Sequence, residues 1–419
     1  MALTVTLADP TIFDPTGSPY ANAADPQQAN RLRADVGIQF AGMWITAKTL
    51  PFLISMRLLT GAHIEDYQCE IELDDRDGTL PIPPIDSPLN VIIGWRGEDS
   101  PIVWEGVVHD IEHGFGRKQG GRRMWVHGFG AEQLKGGKEP QYNHWGEGAP
   151  DGQEKGQMIP VSTVLKAAAQ EAGHSIEVHK DFDVTAMQQD YWQQAGESYY
   201  HFAKRLADQM GAVFRVKGGT IGQFTKQGQN IDGTPTPNVT AVWAKNLIGW
   251  RVRPLSARPM WAQTGGHYFD VSGGMWNKVK QAVQSQALNL ASSEFQRSQP
   301  APNQEQATAE NSGDDDGMGQ QQGPGRIVIN GEPNAQGNCL VQLVGARPGV
   351  DGTYWCSTCE HIYSRQGYVT WCDVNAVQIT GGSDIYKLQG AIPQPPPRPS
   401  NAPGGPTTPL PPPPLLGGG

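Results

Sequence analysis

Glycine and proline punctuate this chain too often for long helices, with 52 glycines and 34 prolines among 419 residues. Proline removes a backbone donor and clashes with the preceding turn, and glycine carries a large backbone entropy. Between these breaks the apolar residues recur with period two. Tyr67-Gln-Cys-Glu-Ile-Glu-Leu-Asp74 sets Cys69, Ile71 and Leu73 against Gln68, Glu70, Glu72 and Asp74, as a half-buried strand requires. The run stops at the turn Asp75-Arg-Asp-Gly78. Residues 89–95, 102–112 and 122–128 read as further strands separated by glycine-bearing turns. They predict a small antiparallel barrel or sandwich over residues 36–135, preceded by an irregular Pro-, Asp- and Ala-rich arm at 1–35.

The pattern then changes. Val161, Val164, Leu165 and Ala168 share one helical face over 160–172. Tyr199, Phe202, Leu206 and Met210 do so over 199–210, between Ser198 as N-cap and Gly211 as the left-handed stop. A short hairpin over 212–224 follows, so residues 136–232 read as an α/β module between β regions. Strand signals return at 240–243, 247–253 and 267–271. Val279, Val283, Ala287 and Leu290 predict a helix over 276–297, and the apolar-poor stretch 298–325 predicts a mobile loop. Residues 326–374 read as strands that complete a second β-barrel domain over 233–388. The Pro-rich tail 389–419 favours extended polyproline II, a form suited to docking in an aromatic-lined groove of a neighbouring protein.

Composition narrows the function classes. Charged residues make up 18% of the chain and the net charge is -10, which disfavours a surface built to grip phosphates. DNA is therefore expected only as a passing cargo. No apolar run reaches the eighteen or so residues of a membrane span, and the first residues carry no secretory pattern, which predicts folding in a cytoplasm. Five cysteines, an odd number, fit reduced, buried thiols better than a disulfide framework.

Two segments repeat. Val108-His-Asp-Ile-Glu-His113 and Ser357-Thr-Cys-Glu-His361 each end a strand in Glu-His, followed by a basic, glycine-containing turn and a strand carrying Trp125 or Trp371. Two similar barrels per chain would turn a threefold assembly into an approximately sixfold ring.

Four stretches carry a family resemblance: Leu73-Asp-Asp-Arg-Asp-Gly78; Ile93-Gly-Trp-Arg-Gly97 with Trp104-Glu-Gly-Val-Val-His-Asp-Ile-Glu112; Glu197-Ser-Tyr-Tyr-His-Phe-Ala-Lys-Arg-Leu-Ala-Asp-Gln-Met-Gly-Ala-Val-Phe214; and a closing set. That set is Gly325-Arg-Ile-Val-Ile-Asn-Gly-Glu-Pro-Asn334, Arg347-Pro-Gly-Val-Asp-Gly-Thr-Tyr-Trp355, Glu360-His361 and Gly367-Tyr-Val-Thr370. Over about residues 40–380 the chain resembles the phage late control protein D family, baseplate hub proteins related to the N-terminal region of VgrG-like type VI secretion spikes.

The resemblance implies a mainly β chain, two small antiparallel barrels flanking an α/β module, in a trimeric ring with pseudo-sixfold symmetry. It implies a structural adaptor of the virion tail, assembled in the host bacterial cytoplasm. The adaptor would join the tail tube or distal tail protein to a central spike or tip and form part of the channel for DNA ejection, with no reaction catalysed and no cofactor. The positions matching the family's structural signature are Asp74, Asp75, Arg76, Asp77, Gly78, Gly94, Trp95, Gly106, Glu112, Phe202, Leu206, Gly211, Asp351, Gly352, Glu360, His361, Gly367 and Tyr368. The chain departs from the pattern in its Asp- and Gln-bearing stretch before Gly325 and in its Pro-rich tail.

Cys356, Cys359, His361 and Cys372 offer four potential zinc ligands within seventeen residues. In regular extended chain, residues 356 and 359 point to opposite faces, so a bulge would be needed to bring both to one metal. Buried structural thiols are the favoured reading. A turn Ser364-Arg-Gln-Gly367 would set Tyr363 opposite Tyr368, His361 opposite Thr370 and Cys359 opposite Cys372, with the two thiols facing the interior. Asp74, Asp75 and Asp77 lack the Glu that closes a calcium loop, and His109, His113 and His127 stand beside no nucleophile motif. A tail-associated peptidoglycan hydrolase would need paired carboxylates in a cleft, for which no spare segment exists. A carbohydrate-binding tip protein draws support from 12 tryptophans, many of them inside strand patterns.

Overall fold

A computed structural model describes residues 5–6, 34–45, 49–62, 67–96, 99–116, 121–130, 135–146, 158–182, 188–189, 191–217, 221–253, 261–270, 273–282, 293–301, 303–320, 324–347 and 350–378. The chain is mainly β. Its N-terminal half supplies β1 (Ala34–Phe40), β2 (Leu53–Gly61), β3 (Tyr67–Asp74), β4 (Pro88–Trp95), β5 (Ile102–Gly116) and β6 (Gly121–Phe129). These pair antiparallel in the order β1-β4-β5-β6-β3-β2. Alternation decides which face is buried. Cys69, Ile71 and Leu73 are at most 3% exposed, and they enclose a core with Leu58, Val91, Trp104 and Val126.

The middle of the chain forms the expected helices α1 (Val161–Glu171) and α2 (Tyr199–Met210) and the expected hairpin β10 (Ala212–Lys217) and β11 (Ile221–Lys226), with three strands not foreseen, β7 (Pro140–Gly146), β8 (Ser175–Val178) and β9 (Tyr191–Ser198). Helix α2 starts where Ser198 Oγ accepts the His201 amide and stops at Gly211, whose φ of 63° is the left-handed conformation. Its apolar face, with Phe202 and Leu206, joins Trp145, Val164, Phe214 and Phe224 in a separate core.

The C-terminal half contributes β12 (Asn238–Val242), β13 (Leu247–Val252), β14 (Trp261–Asp270), β15 (Met275–Ala282), β16 (Ser293–Gln296), α3 (Gln304–Gln320), β17 (Gly325–Asn330), β18 (Leu340–Val344), β19 (Gly352–Ser364) and β20 (Gly367–Gln378). Six of them pair in the order β12-β18-β19-β20-β17-β13 around a core containing Ile327, Ile329, Val341, Tyr354 and Cys339. The half is not purely antiparallel as expected, because β12 runs parallel to β18, whereas β1 runs antiparallel to β4. The two halves are continuous. The first part of β19 pairs with β18, and its second part, residues 358–364, pairs with β2. One 13-stranded sheet results, in place of two separate barrels. Among the described residues no ladder joins the two end strands of either half, and β2, the end strand of the first half, pairs instead with β19.

Three expectations need correction. The helix expected over 276–297 is strand where described: β15 pairs antiparallel with β14, and β16 pairs with β14 on its other side. Lys278 and Lys280, two apart and on one strand face, both reach Glu294, at 2.9 and 2.7 Å. The apolar spacing that favoured a helix rested largely on 283–292, which lie outside the described residues. The loop expected over 298–325 contains α3 instead. Its buried stripe is Ala307, Asn311 and Asp315, small or polar and therefore silent in an apolar count. Asn311 Nδ2 donates to the Val279 carbonyl at 3.2 Å, and Arg297 ties Glu310 and Asp314. Lastly, the arm at 1–35 is not wholly irregular, since Val5–Thr6 pairs with Asp99–Ser100 and β1 begins at Ala34. The rest of the arm and the tail 389–419 lie outside the described residues.

Candidate functional site

The hairpin β19–β20 is where the two halves meet. Its register sets Tyr363 opposite Tyr368, His361 opposite Thr370 and Cys359 opposite Cys372, as the turn at 364–367 dictates. Gly367 occupies that turn with φ of 136°, a conformation open to glycine. Tyr368 is carried past the second core into the first, where its ring lies 5.7 Å from that of Trp95. Trp95 Nε1 in turn donates to the Gly331 carbonyl at 2.8 Å.

His361 is fully buried at this junction. Its Nε2 lies 3.0 Å from the Ala335 carbonyl, which can only accept, so Nε2 carries the proton. Nδ1 is then the acceptor for the Tyr368 hydroxyl at 2.7 Å. Burial lowers the imidazole pKa from 6.5 to about 4, so the ring is neutral near pH 7. Beside it, Glu360 Oε1 accepts from Arg57 Nε and bridges β19 to β2.

Four cysteines gather in the second core: Cys339, Cys356, Cys359 and Cys372. A bulge between Cys356 and Thr358 turns Cys356 onto the same interior face as Cys359, the irregularity that a shared site would require. His361 does not complete a ligand set, because both its ring nitrogens are engaged. Among the described residues no group of three or more His, Cys, Asp or Glu side chains is arranged to hold a metal ion. Burial holds the Cys359 thiol above its ordinary pKa, so it behaves as a small hydrophobe. Cys359→Ser is expected to lower stability by about 1–3 kcal/mol through an unpaired buried hydroxyl. Cys359→Val should cost less than about 1.5 kcal/mol. Urea melts of both variants check this, and a melt that shifts on adding a chelator would instead reveal a bound metal.

The other positions singled out in the sequence lie at separate turns and cores. Asp74 accepts from Arg76, and Asp75 Oδ1 accepts the Leu80 amide at 3.1 Å, so these carboxylates shape the turn that ends at Gly78. Asp77 is exposed. A Cβ on Gly94 would fall 1.6 Å from Ser100 Oγ, and one on Gly106 2.3 Å from the Phe129 carbonyl oxygen. Asp351 gathers the amides of Gly345, Ala346 and Arg347, next to Gly352. Phe202 and Leu206 lie in α2, Gly211 caps its C-terminus, and Glu112 lies exposed on β5. His109 and His113 are exposed, and His113 Nδ1 lies 3.9 Å from Asp75 Oδ2.

Sequence reasoning missed Asn338 and Arg215. Asn338 is fully buried at φ of 70°, and its Oδ1 accepts from Gly228 N at 2.9 Å and Trp355 Nε1 at 2.8 Å. Arg215, from β10, donates to the Gly337 carbonyl at 3.2 Å. It lines a cleft of about 250 Å³ with Thr60, Tyr67, Glu105 and Asn334, where all three regions meet. The dipeptide Gly337-Asn338 was the available signal, a turn pair suited to positive φ.

No family model matches the chain and no curated protein matches it in sequence. Solved structures do match. The 43 kDa tail protein of prophage MuSo2 from Shewanella oneidensis aligns with a TM-score of 0.60 at 13% identity, over 82% of this chain and 98% of that one. A tail protein from Neisseria meningitidis MC58 aligns with a TM-score of 0.57 at 11% identity, over 83% and 98%. A component of the type VI secretion system of E. coli aligns at 0.49 and 10% identity, over 81% and 77%. At these identities the first two likenesses are of fold: the chain shares the fold of these two tail proteins over 98% of each.

Proposed function

We propose that this chain is a structural component of a phage or phage-like tail, the baseplate hub, acting as a homotrimer without catalysis. The observation that carries the reading is the shared fold, which spans 98% of two solved tail proteins. The internal architecture supports it. The order β1-β4-β5-β6-β3-β2 repeats as β12-β18-β19-β20-β17-β13, each half with its own core. Three chains would present six such β units around an axis, an adaptor geometry between tube and spike with room for DNA to pass. The units are residues 36–135 and 233–388, with the module 136–232 between them and the tail 389–419 as an attachment for a further baseplate subunit. Partners on this reading are the tail tube or distal tail protein and the central spike or tip, met in the host cytoplasm during assembly. Mass determination of the purified chain should give three times 45.4 kDa. A monomer at every concentration would overturn the trimeric hub.

A further inference from the structure

The repeat has a residue-level consequence at the edges of the sheet. The hairpins β5–β6 and β19–β20 correspond in register: Gly116 pairs with Gly121 as Ser364 does with Gly367, and Glu112 with Trp125 as Glu360 does with Trp371. Both carry a bulge at the same place, between Val108 and Asp110 and between Cys356 and Thr358. The outer strands match as well. Leu53-Ile-Ser-Met-Arg-Leu58 of β2 corresponds to Leu247-Ile-Gly-Trp-Arg-Val252 of β13, each with a register shift between its first and third residues. Arg57 is therefore the counterpart of Arg251, and Glu360 of Glu112.

Within the chain, the free half of β19 is covered by β2, with Met56 opposite Tyr363 and the Arg57–Glu360 ion pair alongside. The counterpart junction is open. Among the described residues, the β5 edge beyond Val108 has no partner strand opposite β6, and β13 pairs only with β17. Glu112 and Arg251 are both exposed, with no ion-pair partner among the described residues. Phe115, the counterpart of half-buried Tyr363, is 72% exposed. Trp250, the counterpart of Met56, sits against Trp243 at 5.5 Å, and Trp243 and Ile248 are 54% and 53% exposed.

We infer that β13 of one copy adds antiparallel to the free half of β5 of a second copy, repeating between chains the β2–β19 junction formed within the chain. Arg251 then pairs with Glu112 of the second copy, and Trp250 covers that copy's Phe115. The two unpaired backbone edges and the exposed aromatic patches disappear together. The two surfaces lie on different strands, so the contact is heterologous and can close into a ring. This rests on the ring-forming reading above, and its test separates the two.

Full-length wild type, Arg251→Glu, Glu112→Arg and the double swap should be compared by sedimentation over a concentration series, with circular dichroism to verify folding. The single reversals should weaken assembly by about tenfold or more, and the swap should restore it. Gly116→Cys with Gly249→Cys, the counterparts of the opposed Ser364 and Ser55, should cross-link between chains on oxidation. The native cysteines are all buried and should give no background. An oligomeric wild type whose folded single reversals assemble equally well, or whose cysteine pair fails to cross-link, overturns this interface and leaves the tail reading intact. A wild type that stays monomeric overturns the ring itself.

Discussion

Gly337→Ala is expected to lower stability by about 3 kcal/mol, the upper part of the range for forced overpacking. A Cβ at this position would lie 2.0 Å from the Gly61 carbonyl carbon and 2.3 Å from the Ala62 nitrogen, both backbone atoms that cannot rotate aside. Nor are they free to retreat. Gly61 is paired with Thr358, and the Ala62 amide donates to the Ser357 carbonyl at 2.7 Å. The methyl group must therefore separate the end of β2 from the loop that carries Asn338, loosening the bonds from Gly228 N and Trp355 Nε1 as well. Urea unfolding followed by tryptophan fluorescence measures the loss, and an unchanged midpoint would show that the contact is not close in solution.

Acid should weaken the protein through His361. The folded-state pKa of about 4 lies below the ordinary 6.5, so the ring takes up its proton more readily once the chain unfolds. The associated stability is fully present above pH 6.5 and is lost as the pH falls from there towards 4. Its size is about 3 kcal/mol, since a tenfold difference in proton affinity is worth roughly 1.4 kcal/mol. Denaturant midpoints taken between pH 7 and pH 4.5 should fall steeply for the wild type. His361→Gln should start lower at pH 7, having lost good hydrogen bonds, and then show a much flatter slope. Equal slopes in the two proteins would assign the acid sensitivity to other groups.

The fold was legible wherever burial followed an apolar period. The strand 67–74, the two helices of the module and the closing hairpin with its opposed Cys359 and Cys372 all fall in the sequence as they do in space. It was illegible where burial is polar. Helix α3 packs through Ala307, Asn311 and Asp315, and its Gly313 lies against the backbone at the end of α2, so no hydrophobic stripe announces it. The junction was half legible. Glu360, His361 and Tyr368 were marked by resemblance and Cys359 by its register. Their partners Arg57, Ala335 and Trp95 come from distant segments, and nothing local fixes which strand β19 will meet at its free edge. The bulge at Cys356 was likewise hidden, because an extra residue in a ladder leaves no compositional trace.

The β2–β19 ladder also sets an order of events during synthesis. Arg57 and Glu360 are 303 residues apart, so the N-terminal half emerges from the ribosome long before the strand that covers its edge exists. Closing so large a loop makes this contact among the last to form. Until then the nascent half carries a bare edge, the kind of surface that aggregates or recruits the wrong strand. A prematurely terminated chain would keep that bare edge permanently and so would differ, at the surface where neighbours join, from a finished subunit. Completion of translation thereby becomes a condition for presenting the correct set of edges.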